Sequence, residues 1–171
     1  MTIVPNFDDS ANEGRKICFI CTKGNLDMAY PALIMGNAAL GEGIETHFFF
    51  SFWGFDLIIP SRAEKLQFSP AGNTAMHLPG MEAHFPQSMS LIPGVTHFAT
   101  HMLKNEFKKL DVPPVSEFLD LITGAGGQLW GCKLSADMYG VTEKDLRDDV
   151  NAIITATQFI EISAGAQIIF I

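Results

Sequence analysis

Apolar residues in this chain gather in short runs separated by Gly, Pro, Asn and Asp, and the spacing inside each run separates strands from helices. Arg15 to Thr22 is a mostly apolar run closed by Lys23-Gly24-Asn25, which predicts a parallel strand buried on both faces. From Leu26 to Leu40 the period lengthens. Leu26, Tyr30, Leu33 and Ile34 recur at helical spacing, Pro31 falls in or near the first turn, and Gly41 and Gly43 stop the helix. Its other sides carry Ala29, Ala32, Gly36, Ala38 and Ala39, small residues that predict close packing on more than one side. Ile44 to Phe50 reads as a second strand and Ser51 to Ile59 as a short helix. Strand, helix and strand in succession make a βαβ unit.

Residues 60–94 break this rhythm with Pro, Gly, Met and His, and read as an irregular insertion or lid. Helical spacing returns over Val95 to Leu110, Asp111-Val-Pro-Pro114 ends it, and a further helix runs to Thr123. Gln128 to Cys132 predicts a third buried strand, followed by a turn or short helix over Lys133 to Tyr139. Thr142 to Asp145 resembles a helix start, Asn151 to Ile162 an amphipathic helix, and Ala166 to Ile171 a last strand. The alternation predicts an α/β domain in three layers: a mostly parallel, twisted, flavodoxin-like sheet of roughly four to five strands with helices on both faces. Residues 1–14 read as a flexible leader and 15–171 as one domain.

Composition narrows the function. With 47% apolar residues, fourteen Phe among them, and 18% charged, the chain must hide apolar surface in a core or in subunit contacts. A net charge of -8 argues against nucleic acid, which needs clustered Lys and Arg. No window is long and apolar enough to span a bilayer, and the polar first residues do not form a signal peptide, so a cytoplasmic protein is expected. Three cysteines are no disulfide framework; each is a packed side chain, a ligand or a reactive thiol.

Ligands in open parallel sheets bind at the carboxyl ends of strands. Cys21 stands near that end of the first strand and Cys132 at that end of the third, and a flavodoxin-like strand order would make those two strands neighbours. Cys18 and Cys21 spell C-x-x-C, but along a strand their side chains point to opposite faces, so the pair does not form a redox motif. Cys18 reads as core; Cys21 as core or as a partner in the crevice. At Cys132 the chain stops being apolar: Gly131 precedes it, Lys133 follows, and a helix start would supply backbone N–H groups that favour a thiolate. Spacing alone leaves Cys132 open between a packed and a reactive thiol. Lys23-Gly-Asn-Leu-Asp27 lies where phosphate loops occur but lacks the Walker and dinucleotide patterns; Asn25 or Asp27 reads as a helix cap that could face the same crevice. No Gly-x-Ser-x-Gly elbow is present. His97 and His101 stand one turn apart among Met and His residues, which suggests either a soft-metal or small-molecule site or a solvated helix face, with no third ligand fixed by spacing. His47 reads as structural. No cofactor is expected.

Thr22-Lys-Gly-Asn-Leu-Asp-Met-Ala-Tyr-Pro31, Phe49-Phe-Ser-Phe-Trp-Gly54, Pro113-Pro-Val-Ser-Glu-Phe118 and Leu129-Trp-Gly-Cys-Lys-Leu134 together resemble the DsrE/DsrF-like proteins of sulfur metabolism. The resemblance implies a parallel α/β sheet, homo-oligomers such as trimers or hexamers, and a cysteine after a central strand that holds sulfur as a persulfide or thiosulfonate. Cys132 matches that cysteine. Partners implied are small TusA-like carriers and rhodanese-like proteins. A second cysteine about ten residues away, present in some relatives, is missing near Cys132, which leaves Cys21 as the only substitute.

Overall fold

The computed structural model describes residues 14–77, 84 and 86–171. Its centre is a five-stranded parallel sheet built from β1 (Lys16–Cys21), β2 (Glu45–Phe50), β3 (Gln128–Cys132), β4 (Ala152–Ile154) and β5 (Gln167–Phe170). The strand order is β4-β3-β2-β1-β5. The helices are α1 (Leu26–Gly41), α2 (Pro60–Ala63), α3 (Val95–Lys109), α4 (Val115–Gly124), α5 (Lys133–Tyr139) and α6 (Ala156–Ile162), with a 3-10 turn over Phe52–Ile58 after β2.

The order explains the layers. β1 to β4 are laid down in one direction across the sheet, so right-handed crossovers carry α1, α4 and α5 over one face; the return from β4 to β5 on the far side of β1 sends α6 to the other. The register divides the side chains accordingly. Phe19, Cys21, Phe48, Phe50 and Leu129 join the main core with Leu33 of α1, Leu119 of α4 and Ala136 of α5. Phe48 stacks between Phe19 and Phe50, with centroids 5.1 and 6.2 Å away. On the opposite face Cys18, Phe49, Cys132 and Ile154 form a smaller cluster under α6, whose Phe159 ring stacks on Phe49 at 4.4 Å. That second layer is thin: α6 has seven residues, and Ile160, Ile168 and Phe170 stay exposed.

Close approach of α1 to the sheet depends on Gly36, where a Cβ would lie 2.0 Å from the Phe48 ring. Pro31 falls in the second turn of α1, not the first, on its exposed side. In the 60–94 segment, the Phe68 N–H donates to Thr100 Oγ1 of α3 (3.1 Å) and the Ser69 N–H to Asp27 Oδ1 (3.2 Å), so this stretch docks on the main-face helices. Two sequence readings change. Residues 152–154 are a strand, with the helix starting only at Ala156, and the 143–145 segment is a single 3-10 turn closed by a Thr142–Asp145 capping box. The proposed leader lies almost wholly outside the described residues.

Candidate functional site

Cys132 ends β3 and occupies the N-cap position of α5, with an extended backbone (φ −75°, ψ 122°). Its register partner is Ile154, and one residue later Thr155 caps α6. The chain leaves β3 toward the main face through α5 and leaves β4 toward the other face through α6. The gap between those two strand ends is therefore the topological switch point of the sheet, where ligands bind in this architecture. Cys132 stands at it, 8% exposed.

Gly131 serves the position from beneath: a Cβ there would meet the Phe55 ring at 3.1 Å, so the missing side chain lets Phe55 close under β3. Lys133 is committed to Asp137, one turn along α5, at 2.5 Å.

The other two cysteines are not part of this crevice. β2 separates β1 from β3, so the flavodoxin-like neighbourhood expected of Cys21 and Cys132 does not occur. The two side chains also fall in different clusters, on opposite faces. Burial pushes the Cys21 thiol up to about 12. Cys18 shares the minor cluster with Cys132 but is fully buried, and its thiol is pushed up to about 11 by burial, with the Lys16 charge opposing and Glu45 adding to the rise. Opposed facing of Cys18 and Cys21 agrees with the strand reading.

Lys23, Asn25 and Asp27 collect at the end of β1, two strands from Cys132. Asn25 holds the N-cap position of α1, but its side chain does not cap the helix; Nδ2 donates to Asp27 Oδ1 at 2.7 Å. Asp27 pins Ser69 rather than facing Cys132. A cavity of about 530 Å³ opens there, with Asn25, Trp53, Asp56 and Lys65 in its wall.

What sequence reasoning missed is the segment that joins the two places. After β2 the chain turns through Phe52, a non-glycine residue at φ 46°, and the Phe52 N–H donates to Ser135 Oγ of α5 at 2.7 Å. Backbone strain of this kind concentrates at functional sites. Phe52 and Trp53 are 50% and 59% exposed, and the Trp53 ring lies 5.8 Å from that of Tyr139 on α5. Two adjacent exposed aromatics before Gly54 were the available signal.

His47 is structural, as expected. It is buried on the α6 face, its Nδ1 accepts from Trp130 Nε1 (3.1 Å), and its Nε2 therefore carries the proton toward Glu45 Oε1 (2.7 Å). That bond, aided by Lys16, holds the Glu45 carboxyl below its ordinary value. His97 and His101 are each engaged by an amide, Gln67 and Asn105 respectively. Among the described residues no three His, Cys, Asp or Glu groups converge as metal ligands, although part of the His/Met segment lies outside them.

A parallel α/β domain with a cysteine at its switch point is the class that fold and site define. The chain belongs to the DsrE/DsrF/DrsH-like family, whose sequence profile matches residues 13–171. It is 32% identical over 139 residues to sulfur carrier protein DsrE2 of Allochromatium vinosum, covering 81% of this chain and 86% of that protein. It is 25% identical over 158 residues to the uncharacterized protein YrkE of Bacillus subtilis, covering 92% of this chain and 97% of that one. The crystal structure of YchN from E. coli shares the fold, with a TM-score of 0.55 at 12% identity over 92% of this chain and 99% of the other. Among the described residues no helix is long and apolar enough to cross a membrane.

Proposed function

We propose that this protein is an intracellular sulfur carrier that loads sulfane sulfur on Cys132 and hands it to a partner thiol. The observation that carries the reading is the placement of Cys132 at the switch point, in a family that includes a protein named as a sulfur carrier. The chemistry balances without a cofactor. The Cys132 thiolate attacks the outer sulfur of a donor persulfide, the donor leaves as its thiolate, and Cys132 holds a persulfide; an acceptor thiolate then attacks that outer sulfur and Cys132 leaves. A thiosulfonate is an alternative cargo at the same atom. The Cys132 side chain makes no capping bond to the first turn of α5 and clusters instead with Ile154 and Phe159 on the α6 face. Near-complete enclosure limits oxidation of the loaded group, and outward displacement of the short α6, which covers the Cys132 face, admits the partner.

Cys132 works without a resolving cysteine, because Cys18 and Cys21 are held as thiols by burial. Donors and acceptors are TusA-like or rhodanese-like carriers in a reducing cytoplasm. The protein assembles as a homo-oligomer, with Ile160, Ile168 and Phe170 beside α6 as the apolar contact. Mass spectrometry after incubation with a persulfide donor tests the reading. A gain of one sulfur mass on Cys132, kept in Cys21→Ser and lost in Cys132→Ser, is expected; loading that survives Cys132→Ser overturns it.

A further inference from the structure

The helical layer on the main face contains a second cavity, and Cys132 is not among its lining residues. Its volume is about 730 Å³, within the roughly 300–1,000 Å³ of sites that enclose a small molecule. The floor is apolar and already buried: Leu26 and Tyr30 from α1, Ala63 from α2 and Val115 from α4. Phe107 stands edge-on to Tyr30 at 4.6 Å, and the Tyr30 hydroxyl donates to Pro113 O at 3.2 Å. Tyr30 therefore offers the cavity its ring.

The rim is charged and unsatisfied. Lys104 and Lys108 sit one turn apart on α3, both exposed, and neither has an ion pair or side-chain hydrogen bond among the described residues, whereas Lys109 beside them holds Glu106 at 2.6 Å. α4 also begins in the cavity wall, with Pro114 at its cap and Glu117 in its first turn. Glu64, Asp111 and Glu117 place carboxylates on the same rim. Asp111 is held at a left-handed φ of 54°, which fixes the turn carrying Val112 to Val115 over the floor.

Charges of both signs over an apolar floor decide the class of ligand. A compact inorganic anion would be repelled by three carboxylates while it was attracted by two lysines. Only a molecule that inserts an apolar body gains from the floor, and its charge then pairs with the unpartnered Lys104 and Lys108. We propose that this cavity binds an amphipathic monoanion: an aromatic or branched apolar body on the Leu26–Tyr30–Phe107 floor, with one carboxylate or sulfonate on Lys104 and Lys108. The site is independent of the sulfur chemistry, which lies on the other face of the sheet.

Anilinonaphthalene sulfonate is the probe, titrated by fluorescence into the full chain beside its uncharged analogue phenylnaphthylamine. Saturable binding of one anionic probe per chain is expected, tighter than that of the neutral analogue. Lys104→Glu with Lys108→Glu, both on the surface, should weaken the anionic probe roughly tenfold and leave the neutral one unchanged. Ala63→Phe, which fills the floor, should abolish both, and Cys132→Ser should alter neither. Equal affinity for the two probes, or anionic binding indifferent to the lysine reversal and to Ala63→Phe, overturns the proposal.

Discussion

Replacing Gly54 by alanine tests how the segment after β2 is fitted to the sheet. A Cβ at Gly54 would lie 2.2 Å from Cys21 O, 2.7 Å from Cys21 C and 3.1 Å from Thr22 N, where real Cβ atoms do not come closer than 3.0 Å. All three neighbours are backbone atoms at the end of β1, a strand held on both sides by β2 and β5, so no side chain can rotate away. The 52–58 turn must lift by most of an ångström. Phe55, Leu57 and Ile58 anchor it in the core, so lifting it costs about 1–3 kcal/mol of packing. Losing the Ser51 N–H bond to Cys21 O (2.9 Å) costs about 1 kcal/mol more. Roughly 2–4 kcal/mol of destabilisation is expected by urea denaturation, with Tm lower by ~2–4 °C per kcal/mol in a domain of this size. Gly124→Ala is the matched control: it ends α4 with nothing within 4 Å, and should be neutral or stabilising by up to about 1 kcal/mol. A Gly54→Ala protein as stable as Gly124→Ala would refute the close-approach argument.

Three further outcomes follow from the geometry. Trp130→Phe leaves His47 Nδ1 buried without its donor and should cost about 1–3 kcal/mol in denaturant unfolding; no loss would mean the Trp130–His47 bond adds nothing. Burial alone would raise the Asp149 carboxyl, but hydrogen bonds from Arg147 (Nε 2.9 Å, Nη2 2.6 Å) and Thr123 (2.9 Å) outweigh it and hold it below its ordinary value. The folded chain then binds that proton less readily than the unfolded one. The stabilisation is full above ~3.9 and is lost as pH falls through the lowered folded value. Asp149→Asn should flatten the acid limb of stability against pH, and an unchanged limb would contradict the assignment. Finally, Cys18 and Cys21 should resist iodoacetamide at pH 8 until the chain unfolds, since burial holds both as thiols; peptide mapping that finds native-state labelling at Cys21 would remove that premise.

How much of this was legible in the sequence follows from how local each signal is. β1, β2 and β3 came through within a residue or so because both-face burial makes each a continuous apolar run bounded by turn residues. β4 did not, because Ala152-Ile-Ile154 is too short to show a period and runs into the apolar stripe of α6. The Thr155 and Gln158 capping pair marks the real boundary. Strand order is a tertiary property that no local spacing encodes, so whether Cys21 neighbours Cys132 could not be read. Asn25 had the right position for a cap, but the nearby Asp27 carboxylate won its amide, a competition between side chains that position does not reveal.

The three cysteines show what the fold adds to the spacing. All are buried, at 0%, 3% and 8% exposure for Cys18, Cys21 and Cys132, so burial class does not distinguish them. Their rows in the sheet do. Cys18 lies in a complete row, with Ile168 on one side and His47 and then Gln128 on the other. Cys21 ends β1, but the Gly54 turn is pressed against its carbonyl and the main core surrounds its side chain. Cys132 is in the last row, paired only with Ile154, because β2 has ended at Phe50 opposite Gly131. The strained Phe52 turn takes the place a further β2 residue would fill, and hydrogen-bonds to α5 instead of to β3. Cys132 is thus bordered on one side by a turn instead of a strand, whereas Cys18, under the same thin α6 layer, has a strand on each side and Cys21 is enclosed by the main core. That difference in position is what singles out Cys132 for the proposed carrying role.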